Sequence, residues 1–162
     1  MKRLLLDTNI YGVLLLESNL DIIKKELLST YIVHGFTIIR KELRNTSPSL
    51  VYQGKNLRIN LLQIYDDIIR KSYELNLEIS NLADFYFRLY KELNGAKGYD
   101  EMHNDFLIVA CAAVYGIDIV VSADKASLLS SQALRAYSLV NDISKKRNPK
   151  FVTYEEFKRW FV

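Results

Sequence analysis

Four carboxylates stand out by where they fall: Asp7 after the apolar run LLL, Glu42 after TIIRK, Asp124 after IVVSA, and Asp105 at the start of DFLIVACAAVYG. In an open parallel sheet, ligands bind outside the carboxyl ends of the strands, so acids at strand ends differ from acids scattered over a surface. Asp7, Glu42 and Asp124 each read as following a strand. Asp105 opens a helix that must cross back to feed a strand at 119–121, which puts it at the same edge. Asp118 precedes that strand and falls at the opposite edge.

Carboxylates that converge in this way repel one another and raise each other's pKa unless cations neutralise them. Oxygen donors without a cysteine or histidine cluster suit hard cations, Mg²⁺ or Mn²⁺, rather than zinc. Such ions, about 3.5–4 Å apart when paired, stabilise the attacking and leaving oxygens of an in-line displacement at phosphorus. The chemistry expected is hydrolysis of a phosphodiester.

Each acid also has a plainer explanation. Asp7, Glu42 or Asp105 alone reads as a helix cap or first-turn acid, worth about 0.5–2 kcal/mol. Four caps have no reason to share one edge of one sheet, however, and together the acids favour a site. Other candidates are weaker. His34 and His103 read as surface or turn histidines, and Asp100 and Glu101 as solvated loop acids. Tyr65, Tyr73, Tyr86 and Tyr90 have the chemistry to stack on unpaired bases, but their helical spacing reads as packing. Lys125 and the KKR run at 145–147 are placed to hold a phosphate backbone or to form a solvated charge run.

The elements that must position the acids follow from periodicity. Residues 3–6 read as a buried strand, followed by a helical stretch carrying Leu14, Leu15, Ile22, Ile23 and Leu27. Phe36–Ile39 is β-rich, and a helical segment begins at Lys41. After the break at TSPS, residues 52–75 read as a helix with Leu57, Leu61, Ile64 and Ile68 on one face and Lys55, Arg58, Arg70 and Lys71 on the other. It is expected to pair with a further helix over 81–93. NGAKGYDEMHN reads as a loop, residues 119–121 as a strand, and FVTYEEFKRWF as a short strand and then a helix. The alternation predicts a three-layer α/β/α sandwich around a mainly parallel sheet.

Composition is compatible with this. The 162 residues are about half hydrophobic, enough for one domain with a real core. Cys111 is the single cysteine and reads as a small buried thiol, so no internal disulfide is available. A net charge of +3 is too mild to identify a polyanionic partner by itself. No apolar stretch approaches the ~20 residues of a membrane span, and the expected location is cytoplasmic.

LLLDTNI, the glutamate in IIRKELRN, and NDFLIVACAAVYGIDIVVSAD with its terminal Asp124 together resemble the PIN domain, the nuclease family that includes the toxins of VapBC toxin–antitoxin pairs. The resemblance covers nearly the whole chain in order. Glu17, Glu26 and Glu92 compete with Glu42, and the helical insertion around residues 50–95 is longer and more aromatic than the plain family pattern. The resemblance implies that Asp7, Glu42, Asp105 and Asp124 form an Mg²⁺ or Mn²⁺ site, with Thr8, Asn9 and Ser122 orienting the first acid or contacting metal-bound water. It implies a metal-dependent endoribonuclease acting on RNA, with an antitoxin and a second copy of the chain as partners. The alternative is a catalytically silent PIN-like module that binds RNA or protein.

Overall fold

The leucines of the opening run lie at the centre of the molecule. In the computed structural model, which describes residues 1–161, the chain forms β1 (Lys2–Leu6), α1 (Thr8–Leu15), α2 (Leu20–Thr30), β2 (Tyr31–Phe36) and α3 (Thr37–Arg44). A small hairpin, β3 (Val51–Tyr52) and β4 (Lys55–Asn56), leads into α4 (Leu57–Ile68) and β5 (Ile69–Tyr73). Then come α5 (Leu77–Glu92), α6 (Tyr99–Val114), β6 (Ile119–Ser122), α7 (Ser131–Ile143), β7 (Lys150–Thr153), α8 (Tyr154–Lys158) and a closing 3₁₀ turn.

The central sheet is five-stranded in the order β5-β2-β1-β6-β7, and every pairing within it is parallel. Leu4, Leu5 and Leu6 are fully buried because β1 is covered on both faces, which is why its sequence is a continuous apolar run rather than an alternating one. From β1 the chain steps outward through β2 to β5, then returns past β1 to β6 and β7. Right-handed crossovers therefore set the helices on opposite faces on the two sides of that reversal. The packing agrees: α4 packs against α1, α2 and α3, whereas α5 packs against α6 and α7.

Several expectations shift. The second strand ends at Phe36, so Ile38 and Ile39 are helical and Glu42 lies in the second turn of α3 rather than directly behind a strand. Ile39 and Leu43, spaced i and i+4, form the buried side of that helix. The apolar stretch after β1 breaks into α1 and α2. The stretch 52–75 holds the hairpin, α4 and β5, which puts Arg70 and Lys71 on an edge strand and makes the insertion part of the central sheet. The expected pairing of its helix with α5 gives way to packing on opposite faces. His34 sits within β2, and α6 begins at Tyr99, so Asp100, Glu101 and His103 are helical.

Candidate active site

The reversal of strand order falls between β1 and β6, and in open α/β sheets the crevice outside the carboxyl ends of such strands is where ligands bind. Asp7 and Asp124 sit there. The Asp7 N–H donates to the Val121 carbonyl (2.9 Å), continuing the ladder one step past β1, while its side chain accepts from the Thr8 N–H (2.8 Å) and caps α1. The capping explanation is thus correct for Asp7 but incomplete, because its second carboxylate oxygen accepts from the Ser122 hydroxyl (2.7 Å). The Ser122 oxygen in turn accepts from the Asp124 N–H (3.0 Å), so one buried hydroxyl links the two acids. Asn9 Oδ1 accepts from the Ala123 N–H (3.2 Å) and ties α1 to the end of β6. Oδ1 of Asp124 accepts from the N–H groups of Ala126 (3.1 Å) and Ser127 (2.9 Å), which fixes the turn after the strand.

Glu42 and Asp105 come from the second turns of α3 and α6, two helices that both begin at the carboxyl edge and pack on each other. Burial and then the charge on Asp7 push Glu42 up to about 7. The Thr8 side chain offsets a little of this without reaching hydrogen-bond geometry, and both Glu42 Oε1 and Thr8 Oγ1 are buried without a partner. Asp105 is pushed up to about 8 by burial and by the charges of Asp7, Asp124 and Glu42, with Lys97 opposing. Asp7 is raised by burial, with its bonds to Ser122 and Thr8 pulling the other way. Four elements thus deliver four acids that feel one another. Among the described residues no three His, Cys, Asp or Glu side chains stand together closely enough to hold a metal ion.

The donor set fits a hard divalent cation: it is all oxygen, it is partly buried, and it includes an unpartnered carboxylate oxygen on Glu42. Competing residues are occupied elsewhere. Glu17 is bound by Tyr154 and by Lys158 (3.0 Å), while Glu26 and Glu92 are exposed on α2 and at the end of α5. Asp118 lies at the amino edge, where Arg147 holds it (2.5 Å), so the KKR run is remote from the acids. Lys125 is at the correct edge but reaches Glu155 (3.4 Å). Tyr65, Tyr86 and Tyr90 are core residues, and Tyr73 is stacked between His34 and Tyr115, so none is free to hold a base. His34 Nδ1 pairs with the Tyr73 hydroxyl (3.0 Å), and His103 stacks on Tyr99. Cys111 is fully buried and its thiol is pushed up to about 12, which makes it inert.

Sequence reasoning misses Lys97, whose ammonium donates to the Ser127 hydroxyl beside the acid loop. The available signal was a lysine in a glycine-punctuated turn just ahead of the helix that carries Asp105.

No protein-family model matches the chain, and no curated protein matches it. Solved structures do. A VapBC2 structure from Rickettsia felis, bound to a DNA fragment from their promoter, aligns at 15% identity and TM-score 0.54 over 94% of this chain and 98% of its own. A DNA-bound VapBC from Salmonella typhimurium aligns at 12% identity and TM-score 0.57, again over 94% of this chain and 98% of its own. FitAcB from Neisseria gonorrhoeae aligns at 18% identity and TM-score 0.52 over 80% of this chain and 92% of its own. Identities this low speak to architecture alone, and with the five-stranded parallel sheet flanked by helices they show that the chain has the PIN-like α/β fold.

Proposed function

We propose that the chain is a metal-dependent endoribonuclease of the PIN type, the toxin of a toxin–antitoxin pair. What supports this reading is that the charges of Asp7, Asp124 and Glu42, carried by separate elements, all act on the buried Asp105 at the edge where the strand order reverses. Those four residues would hold Mg²⁺ or Mn²⁺, which when bound supplies Lewis acidity at phosphorus and lowers the pKa of water. The chain's own groups do the rest. Ser122 and the Thr8 N–H hold both oxygens of Asp7, and the N–H groups of Ala126 and Ser127 hold Asp124. Asn9 keeps the two acid-bearing loops in register. Glu42, whose buried Oε1 has no partner, would complete the ion's ligand set or help position the attacking water.

A module that binds RNA without cutting it would gain nothing from four acids facing a phosphate backbone. The antitoxin part of the reading rests on the fold shared with the VapBC structures. A hollow of about 490 Å³ between the α1–α2 turn and the hairpin is of mixed character, with Leu15, Leu16, Leu20 and Tyr52 beside the polar Glu17, Asp21 and Lys55.

The test is cleavage of a panel of labelled structured and single-stranded RNAs with Mg²⁺, with Mn²⁺ and with EDTA, beside Asp105→Asn. Metal-dependent cutting that falls at least ~100-fold in the variant is expected. RNA binding without cutting under either metal would establish the silent module instead, and cutting that survives in the variant would point to a contaminant.

A further inference from the structure

The turn between α5 and α6 is built to hold one lysine. Helix α5 ends with Asn94 in the left-handed region (φ 64°), and the Gly95 N–H returns to the Tyr90 carbonyl (2.8 Å). Gly95 lies flat against the Tyr90 ring, where a Cβ would come within 2.3 Å of it, so no larger residue fits. The Tyr90 hydroxyl then accepts the Lys97 N–H (3.0 Å), while the Lys91 ammonium donates to the carbonyls of Gly95 (2.9 Å) and Lys97 (3.4 Å). The Lys97 backbone is therefore fixed at both its donor and its acceptor.

Its side chain is directed just as firmly. Nζ donates to Ser127 Oγ (2.5 Å), and Ser127 is the buried residue whose own N–H holds Asp124 (2.9 Å). An ammonium has three donors, and this bond uses one. The others have no partner among the described residues, and the charge is close enough to act on Asp105. Lys125, which follows Asp124 directly, is mostly exposed and drawn out to Glu155. A phosphodiester entering a crevice of four carboxylates needs positive charge that does not depend on how many cations are bound, and a pre-positioned ammonium supplies it.

We propose that Lys97 is a substrate-binding residue whose ammonium contacts a phosphate oxygen of the RNA chain at the acidic crevice. The proposal rests on the nuclease reading for the identity of the substrate. A lysine on a phosphate adds one ionic contact, which for single strands steepens the salt dependence of binding by about 0.7 in log K against log salt.

The experiment measures binding of a fluorescein-labelled single-stranded RNA to the full chain across a salt series, with Mg²⁺, in an Asp105→Asn background so that the probe survives. Lys97→Ala and Lys97→Arg are compared in that background, and kcat and KM are compared in the otherwise unaltered chain. Lys97→Ala is expected to weaken binding five- to tenfold, flatten the salt slope by about 0.7 and raise KM more than it lowers kcat, while Lys97→Arg restores the slope. Unchanged affinity and slope in Lys97→Ala would overturn the proposal. So would a lower Tm with loss that Lys97→Arg fails to restore, because the lysine would then only tie the turn to Ser127. RNA that is bound with these Lys97 effects but never cut would remove the nuclease reading and leave the contact standing; a chain that binds no RNA would remove both.

Discussion

At Asp105, burial and three neighbouring carboxylates all oppose ionisation. An acid whose folded pKa lies above its unfolded one binds its proton more tightly in the native state, so stability falls as pH rises from the ordinary carboxyl range through the raised value. For Glu42 and Asp105 that window runs from about 4 up to about 7 and about 8. In EDTA, the Tm should therefore drop by about 5 °C between pH 5 and pH 8.5, and Asp105→Asn should flatten the drop while abolishing metal-dependent cleavage. A scanning calorimetry series over pH checks this; a Tm that rises with pH would contradict it. Added Mn²⁺ should raise the Tm more at pH 8 than at pH 5, because cations bind only the deprotonated acids. Of the side chains around these acids, Ser122 beside Asp7 was legible through the family resemblance, whereas the Lys97 turn was not, because it joins residues 30 positions apart.

At the scale of elements, what could be read from sequence was whatever is buried on all sides. Residues 4–6 of β1, residues 119–121 of β6 and the second half of α6 from Phe106 are unbroken apolar runs, and burial leaves them no other assignment. β2 and β5 were harder. TIIRK is rich in β-formers but helical, because Ile39 and Leu43 bury the i, i+4 side of α3, and β5 is an edge strand with Arg70, Lys71 and Ser72 exposed. The close approach of α4 to β2 was also hidden in the sequence. A Cβ on Gly35 would lie 2.1 Å from the Tyr65 hydroxyl and 2.9 Å from Ile69. Gly35→Ala should cost about 1–3 kcal/mol by overpacking, read as a shift in the urea midpoint. On the opposite face, Phe106 packs edge-on against Tyr86 (6.2 Å), Tyr90 (5.5 Å) and Tyr137 (5.6 Å), joining α5, α6 and α7. Phe106→Ala should cost about 3–5 kcal/mol. Because Phe106 follows Asp105 directly, the same variant should lose cleavage activity at temperatures well below its own Tm.

At the scale of the whole molecule, the two edges of the sheet divide the work. The amino edge is neutralised within itself: the Asp118 carboxylate accepts from the Arg3 N–H (2.8 Å) and pairs with Arg147 (2.5 Å). The carboxyl edge gathers its acids and leaves their charge largely unanswered. That asymmetry follows from topology, since the reversal between β1 and β6 opens the crevice. No helix among the described residues is long and apolar enough to cross a membrane. The most direct test is calorimetric titration of Mn²⁺ into the full chain at pH 8, beside Asp7→Asn, Glu42→Gln, Asp105→Asn, Asp124→Asn and, at the amino edge, Asp118→Asn. Binding with proton release is expected, weakened about tenfold or more by each of the first four substitutions and unchanged by the last. Equal weakening by Asp118→Asn, or no binding by the unaltered chain, would contradict it.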